Sequence, residues 1–364
     1  MRQEKEEGVF SANRTFIHTS RQKKACLLVL LFLLVVSLVY SSSYGAVSLD
    51  KREIVYIIME RIAGFSPAES ISGTTRDIVL NIRLPRVFLA AMVGAALSVA
   101  GATFQALFRN PLADPYIIGV SSGASLGAAL AIVCGLTLGW AGFGAVPLMA
   151  FAGGLAAIAL VYQLSRQGGV VPVMTLLLAG IAVNAFLSAF VSLLIYFAGE
   201  QLHQIVFWMM GGLGGARWSY VRVMLPYVLI GFGIIYFFAR ELNVLLLGED
   251  TAVYLGINAE KVKIIYLIAA SLLVSAAVST SGIIGFVGLV VPHIIRLVAG
   301  PDHRFLLPAS VLTGAILLTG ADTLSRTIIA PSELPVGIIT ALLGAPFFLY
   351  LLRRRKKMRY FSGV

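Results

Sequence analysis

The sequence RELNVLLLGEDTAVYLGINAEKVK, Arg240 to Lys263, is a polar interruption in a largely apolar chain. It separates one apolar block, Ala25 to Ala239, from a second block, Ile264 to Leu352. Blocks of this length must cross a bilayer several times, because a helix of about 20 apolar residues spans its hydrocarbon core. The polar stretch therefore predicts a loop outside the membrane, within reach of a soluble partner.

The composition of the chain indicates a polytopic membrane protein. Of the 364 residues, 59% are hydrophobic and 12% are charged, whereas soluble domains are about 25% charged. The net charge of +11 does not predict nucleic-acid binding, since Lys and Arg cluster at the two ends of the chain, where the positive-inside rule accounts for them. The cysteines Cys26 and Cys134 lie in apolar runs and predict neither a disulfide framework nor a metal site.

Uncharged stretches of sufficient length predict ten membrane-spanning segments and an all-α fold class. Two of the longer runs are each divided at a break rich in Gly or Ser. The segments are Ala25 to Leu49, Val87 to Phe108, two within Pro115 to Ser165, Val173 to Ala198, Val223 to Ala239, two within Ile264 to Ile295, Phe305 to Ala321, and Leu334 to Leu352. An additional amphipathic helix, Asp50 to Gly64, is expected at the outer interface of the bilayer.

The charges of the tails predict the orientation of the chain in the plasma membrane. An even number of spans places both termini on one side, and the basic runs Arg21 to Lys24 and Arg353 to Arg359 favour the cytoplasm. Residues 1–24 and 353–364 are then cytoplasmic tails, and 25–352 form one transmembrane domain whose loop 240–263 faces the cytoplasm. A cleaved signal peptide is the alternative for the first span, but the many spans that follow favour an anchor.

The sequence contains no catalytic, nucleotide-binding or metal-binding constellation. GGLGGA, Gly211 to Ala216, lacks the lysine and hydroxyl of a phosphate-binding loop, and the four histidines have no ligand spacing. We therefore expect no catalytic residues and no cofactor. Charge within the spans, which a proton- or sodium-driven carrier needs, is nearly absent, and Asp322 is the nearest candidate. The energy for transport is expected to come from another chain.

Several motifs together resemble the FecCD-type permeases of ABC importers for iron-siderophores, haem and cobalamin. They are RLPRVFLAAMVGAALSVAGATFQALFRNPLADPYIIGVSSGASLGA, Arg83 to Ala128, and the later motifs LLLAGIAVNAF, FWMMGGL, GIIGFVGLVVPHIIR and GADTLSR. The resemblance covers residues 25–355 in the family's order. It implies a type II importer fold of ten helices. It also implies an identical or related second permease subunit, two cytoplasmic ATPase subunits and an extracytoplasmic substrate-binding protein. The equal spacing of Gly101 from Pro111 and of Gly282 from Pro292 indicates a weak inverted five-plus-five repeat.

The resemblance implies a docking role for three arginines, Arg83 and Arg86 of RLPR and Arg326 of GADTLSR. In the family, arginines at these positions pair with surface glutamates of the binding protein. Arginine can hold a carboxylate bidentately, so a few such pairs orient a reversible complex. Ordinary anchoring at the membrane interface is the alternative role.

The resemblance further implies a cytoplasmic gate formed by two segments. Four residues match its positions: Asn110 and Leu112 of RNPLADP and, opposite them, Val173 and Met174. The last two are apolar where relatives often carry hydroxyl groups, which favours a hydrophobic gate. Within the first segment, Asp114 is expected to cap a helix that begins near Tyr116.

The same resemblance implies a function for the polar stretch 240–263. DTAVYLG, Asp250 to Gly256, fits a degenerate form of the motif by which ABC permeases contact their ATPases. Two short helices with a glycine turn would form a rigid projection, and acidic residues suit the N-terminus of the first helix. The residues assigned to ATPase coupling are Glu249, Asp250, Ala252, Leu255 and Gly256.

The sequence thus predicts the permease subunit of an ABC importer that moves an iron(III)-siderophore complex into the cytoplasm. Haem and cobalamin are alternative cargoes, since no stretch distinguishes among the three. An ATP-independent secondary carrier and a structural or sensory subunit are alternatives of other classes. Neither of these explains the combined motifs.

Overall fold

The structure, a computed structural model, describes residues 17, 19–45, 49–63, 71–137, 139 and 142–361. Most of the predicted tail 1–24, and residues 362–364 of the second tail, lie outside the described residues. The described part of the chain is almost entirely helical, with one isolated bridge between Gln167 and Val170. The predicted all-α fold class is confirmed.

The described residues form a series of helices joined by short connections. They are α1 (Ser20–Ser43), α2 (Lys51–Ala63), α3 (Gly73–Asp77), α4 (Leu84–Leu107), α5 (Val120–Val133), α6 (Ala145–Ser165), α7 (Val173–Phe197), α8 (Leu202–Met209), α9 (Trp218–Phe237), α10 (Ala239–Leu245), α11 (Glu249–Tyr254), α12 (Ala259–Ser281), α13 (Val287–Ala299), α14 (His303–Thr327) and α15 (Val336–Phe361). A π-helical segment, Ile78–Arg83, joins α3 to α4, and a 3₁₀ turn, Gly199–Gln201, precedes α8.

Seven helices in the described residues are long and apolar enough to cross a membrane. They are α1, the continuous run Gly73–Leu107 that ends with α4, and α6, α7, α9, α12 and α14. Three apolar helices are shorter, namely α5, α13 and the Val336–Tyr350 part of α15. Each of the predicted spans overlaps one of these helices. The predicted amphipathic helix corresponds to α2, which packs Ile54 and Ile57 against Val79.

Some helices begin earlier than predicted, and α1 and α4 do so for different reasons. α1 begins before the predicted Ala25 because Thr19 and Gln22 cap it reciprocally. The Oγ1 of Thr19 accepts from the N–H of Gln22 at 3.2 Å, and the Oε1 of Gln22 accepts from the N–H of Thr19 at 3.0 Å. α4 begins before the predicted Val87 and includes Arg86, whose charge is paired inside the protein.

α4 is the central helix of the bundle and is buried mainly by α12, α13 and α14. Glycines allow this close packing. A Cβ atom at Gly101 would overlap the carbonyl oxygen of Gly288 in α13, and one at Gly94 would overlap that of Gly314 in α14. Such contacts let backbones approach closely in transmembrane bundles. The core therefore fixes α4 against α13 and α14, together with the groups at both ends of α4.

Two short helices, α5 and α13, each follow a long one and are preceded by non-helical backbone. These two non-helical segments meet, because the hydroxyl of Tyr116 donates to the carbonyl of Ile284 at 3.0 Å and accepts from the N–H of Ile284 at 3.3 Å. Backbone groups in a bundle without water need such partners. The repeated long–short order of α4–α5 and α12–α13 is the arrangement that an internal repeat would produce.

Candidate functional site

The predicted site residues lie at opposite ends of the helical bundle. α4 carries Arg86 near its start and ends at Leu107, roughly 30 Å further along at 1.5 Å per residue. α14 runs antiparallel to α4. Its last turns carry Asp322 and Arg326 beside Arg86, whereas His303 at its start contacts Asn243 of the polar loop. We call the end with Arg83, Arg86 and Arg326 the arginine end, and the end with the loop 240–263 the coupling end.

A buried carboxylate organises the arginine end. Asp322 in α14 is 0% exposed. Its oxygens lie 2.9 Å from Nη2 of Arg86 and 3.1 Å from Nε of Arg326. Nη1 of Arg86 pairs in addition with Glu333 at 2.9 Å. Removing a carboxylate from water costs free energy. The attraction of two guanidinium groups offsets this cost, whereas an unpaired buried carboxylate would have no such compensation.

Two of the arginines also hold the C-terminus of α1. Nη1 of Arg83 donates to the carbonyls of Ser42 and Ser43 at 3.0 Å. Arg326 donates to the carbonyl of Tyr44 at 2.8 Å and to that of Ser41 at 3.2 Å. The last carbonyls of a helix have no partner within it, and cations stabilise that end of the helix dipole. The cluster therefore joins α1, α4 and α14.

The three predicted docking residues are thus buried and paired within this chain. Arg83, Arg86 and Arg326 are 4%, 7% and 3% exposed. Glu333 is the member of the cluster that reaches the surface, with a side chain 38% exposed. A role of the arginines in docking a binding protein remains a prediction, and the structure adds the internal contacts that they make.

The first predicted gate segment, 109–114, lies at the coupling end, directly after α4. Its turn is stabilised by Asn110, whose Oδ1 accepts from the N–H of Leu112 at 2.9 Å. Asp114 accepts from the N–H of Tyr116 at 2.8 Å, but it caps a turn rather than a helix, because α5 begins only at Val120. Burial raises the pKa of Asp114 to about 6, although the hydrogen bond from Tyr116 opposes the shift.

The second predicted gate segment forms the start of α7. Pro172 precedes the helix, which begins at Val173, and proline suits this position because it has no N–H to be satisfied. Val173 is half-buried, whereas Met174 is 68% exposed. The uncovered methionine favours the hydrophobic character predicted for the gate. The gate role itself remains a prediction.

The predicted coupling stretch forms two short helices, α10 and α11, with Gly248 between them at φ 126° and Gly256 after them at φ 79°. Both glycines adopt backbone conformations that other residues rarely take. The acidic residues Glu249 and Asp250 begin α11, the second of the two helices and not the first as predicted, and Ala252 on the inner side of α11 is fully buried. Large apolar side chains project on its outer side: Val253 is 63%, Tyr254 90% and Leu255 62% exposed.

Sequence reasoning missed a residue that connects these elements, Lys263. Its Nζ lies 2.9 Å from Glu249, 2.8 Å from Glu260 and 3.1 Å from the carbonyl oxygen of Val171. Arg109 also approaches Glu249, at 3.7 Å. The spacing of Glu260 and Lys263 was a detectable signal, since residues three apart face each other on a helix. Nothing local in the sequence identifies the other partners.

A second polar contact ties the coupling stretch to α14. Asn243 of α10 donates to Asp302 at 2.9 Å and accepts from the N–H of His303 at the same distance. Burial alone would raise the pKa of Asp302, but hydrogen bonds from Asn243 and from the N–H of Arg304, together with the charges of Lys23 and Arg304, hold it below its usual value. Among the described residues, no group of three His, Cys, Asp or Glu could hold a metal ion.

Comparison with known proteins identifies the class to which this fold and these two ends belong. The hemin transport system permease of Yersinia pestis is 45% identical over 343 residues, which cover 91% of this chain and 96% of the relative. The cobalamin import system permease of Halobacterium salinarum is 50% identical over 283 residues, or 78% of this chain and 75% of the relative. The chain is therefore similar to permeases of ABC transporters over most of its length.

A solved structure extends the likeness to three dimensions. It is described as an inward-facing conformation of a metal-chelate type ABC transporter, and it superposes with a TM-score of 0.78 at 33% identity, covering 90% of this chain and 98% of the other. The FecCD transport family matches residues 32–354. The chain belongs to the FecCD transport family of ABC-transporter permeases.

Proposed function

We propose that this permease moves an iron(III)-siderophore complex into the cytoplasm, with ATP hydrolysed by a separate subunit. The observation that carries the proposal is the α11 projection at the coupling end. Val253, Tyr254 and Leu255 form an exposed apolar surface on it. An apolar patch beside a charged surface marks a site for another protein. A short helix that inserts its apolar face into a groove is a common mode of such recognition.

α11 is built to transmit force as well as to bind. Its inner side packs against the protein through Ala252, which is 0% exposed, and its first residue, Glu249, forms an ion pair with Lys263. Closure of an ATPase dimer would therefore move α11 together with the segments attached to it. The proposed partners at this end are cytoplasmic ABC ATPase subunits.

A second permease subunit, identical or related, is proposed to complete the pathway. α7 and α15 leave apolar side chains uncovered by this chain, including Ile181, Phe186, Phe190, Tyr196, Leu342 and Leu343. A facing subunit would enclose a wide passage between two such surfaces, with lipid covering the remainder of each. An uncharged wall suits a bulky chelate that must bind weakly enough to leave.

The arginine end is proposed to receive the extracytoplasmic substrate-binding protein. Arg83, Arg86 and Arg326 supply positive charge there, and their contacts with α1 fix the surface on which a partner would dock. Electrostatic complementarity between two proteins sets their orientation and rate of association more than their affinity. Selectivity for the cargo would then reside mainly in the binding protein.

Iron chelates are favoured as cargo by the relatives taken together. Beside the hemin permease, several relatives carry the names of ferric citrate and ferric hydroxamate permeases, at 38–43% identity. The hydroxamates are siderophores, and the prediction from sequence was a siderophore complex. Haem and cobalamin are the alternatives.

Uptake by the complete transporter in proteoliposomes tests the proposal. The permease, the ATPase and the binding protein that co-purify from the source membranes are reconstituted, and radiolabelled ferric hydroxamate, ferric citrate, haem and cobalamin are offered in parallel. We expect ATP-dependent accumulation of the ferric siderophore. Uptake of haem or cobalamin alone would contradict the proposed cargo and support the proposed importer. Uptake that ionophores abolish and ATP withdrawal does not would indicate a secondary carrier.

A further inference from the structure

Lys263 occupies the meeting point of the coupling helix and both predicted gate segments. Its ammonium group contacts Glu249 of α11, Glu260 of its own helix and the carbonyl of Val171, all within 2.8–3.1 Å. The side chain is 7% exposed. A buried ammonium group with three acceptors from three segments is held in one position, because any movement of a single partner leaves a charge unpaired.

The connection to the second gate segment runs through the backbone. The carbonyl of Val171 accepts from Lys263, and its N–H donates to Glu260 at 2.8 Å. Both backbone groups of this residue are therefore bound to α12 side chains. Pro172 follows with a restricted φ and leads directly into α7, whose first turn carries Met174. A shift of Lys263 and Glu260 would thus move the start of α7, because no flexible segment separates Val171 from that helix.

The connection to the first gate segment runs through Glu249. One oxygen of this carboxylate lies 2.9 Å from Lys263 and the other lies 3.7 Å from Nη2 of Arg109. Arg109 adopts a φ of 47°, which is uncommon for a residue with a side chain, so the local backbone is closely constrained. It adjoins Asn110, the predicted gate residue. The carboxylate at the start of the coupling helix therefore contacts cations from two sides.

Packing alone does not explain a lysine in this position. Leu107, Tyr162, Val173, Leu176 and Leu267 line the same small cavity, and an apolar side chain would fill it equally well. Buried ion pairs are often no more stabilising than apolar residues of similar volume, and their better-attested value is in fixing the arrangement of segments. The arrangement fixed here is that of α11, α12 and the start of α7.

We propose that Lys263 is a positioning residue that transmits movement of the ATPase-bound helix α11 to the segment 171–174 at the start of α7. The inference rests on the proposed function, since it assumes an ATPase at α11 and a gate at α7. Lys263 contacts neither ATP nor cargo. It couples hydrolysis to transport by keeping Glu249, Glu260 and Val171 in one unit.

The test compares Lys263→Met with the matched control Lys261→Met in the reconstituted transporter. Lys261 lies on the same helix but is exposed. In the Lys263→Met complex the ATPase should remain bound, because the outer side of α11 is unchanged, and ATP should still be hydrolysed. Cargo transported per ATP should fall about tenfold or more, a coupling loss of ordinary size. Lys261→Met should match the unmodified transporter.

Conservative variants separate positioning from mere stability. Lys263→Arg retains the charge and its donors and should restore most of the coupling. Glu260→Gln retains an acceptor for the N–H of Val171 but loses the charge, and should give an intermediate loss. A Lys263→Met transporter with normal cargo per ATP would overturn the inference, as would loss of the ATPase from the complex or equal defects in Lys263→Met and Lys261→Met. If the unmodified complex shows no ATP-dependent uptake, the proposed function itself fails.

Discussion

The two charged clusters at the ends of the bundle differ in what their ions contact. At the arginine end, Arg83 and Arg326 bind main-chain carbonyls at the end of α1. Asp322, the carboxylate paired with Arg86 and Arg326, is fully buried. At the coupling end, Lys263 is buried, but its partners Glu249 and Glu260 are 34% and 23% exposed and Arg109 is 45% exposed. Apart from Glu333, the first cluster is enclosed in the core, whereas the second lies between the core and water.

The difference indicates which end is fixed and which can move. Contacts to the carbonyls of a helix end cannot change without releasing that helix, and a buried carboxylate with two cations has no alternative partner in water. At the coupling end, the exposed contact of Arg109 with Glu249, at 3.7 Å, can be exchanged for water at little cost, so the unit held by Lys263 can move as a whole. We therefore expect the arginine end to act as an anchor and the coupling end to rearrange.

The largest expected effect is on stability at the arginine end. Asp322→Ala leaves Arg86 and Arg326 without their shared buried carboxylate, which should destabilise the protein by about 3–5 kcal/mol. Thermal unfolding in detergent measures the loss. The control is Glu333→Gln, which should have a much smaller effect because its side chain is 38% exposed. Equal effects of the two variants would contradict the anchor.

The next effect concerns ATPase binding at the coupling end. Tyr254→Asp places a charge in the centre of the exposed apolar surface of α11 and should weaken ATPase binding about a hundredfold, as loss of a central aromatic contact does at other interfaces. Co-purification and titration of the ATPase measure it. Lys261→Asp, an exposed change in the same loop, serves as control. Unchanged binding in the Tyr254 variant would place the ATPase elsewhere.

A double reversal separates docking from anchoring at the arginine end. Arg83→Glu with Arg86→Glu should weaken association of the binding protein about tenfold, since reversing two charges changes the field that steers the encounter of two proteins. Arg83→Gln, which removes the bonds to Ser42 and Ser43 without reversing the charge, is the comparison. Unfolding temperature and binding-protein affinity are measured for both. A fall in stability with unchanged affinity would make the docking prediction wrong.

The smallest effect is the pH dependence of the first gate segment. The pKa of Asp114 is raised to about 6 by burial, above the value of about 3.9 in an unfolded chain. Its contribution to stability is therefore complete below pH 4 and is lost as the pH rises through 6. Asp114→Asn keeps the acceptor for Tyr116 and should flatten the unfolding temperature between pH 4 and pH 7. An unchanged slope would contradict the assignment.

The sequence was sufficient to predict the fold because a bilayer imposes one strong requirement, an uncharged stretch of about 20 residues for each long span. Splitting two longer runs also located the short helices α5 and α13. Boundaries were less accurate, since the cap of Thr19 and the turn before Val120 depend on individual hydrogen bonds. The pattern of apolar residues does not report such bonds.

The site was predicted residue by residue but not as contacts. Arg86 and Asp322 are 236 positions apart, and Lys263 and Val171 are 92 apart. No local period relates residues at such distances. The inward orientation of the arginines, and the contacts of Lys263 with α11 and with the segment before the predicted gate residues of α7, therefore became visible only when packing had brought these helices together.

Paired spin labels test the central claim most directly, that ATP moves the coupling end against a fixed arginine end. One permease subunit per complex carries Cys26→Ser and Cys134→Ser, with labels either at Leu112 and Met174 or at Ser43 and Ser332. We expect ATP binding to change the first distance by several ångströms and to leave the second unchanged. A change confined to the second pair, or an equal change in both, would contradict the claim.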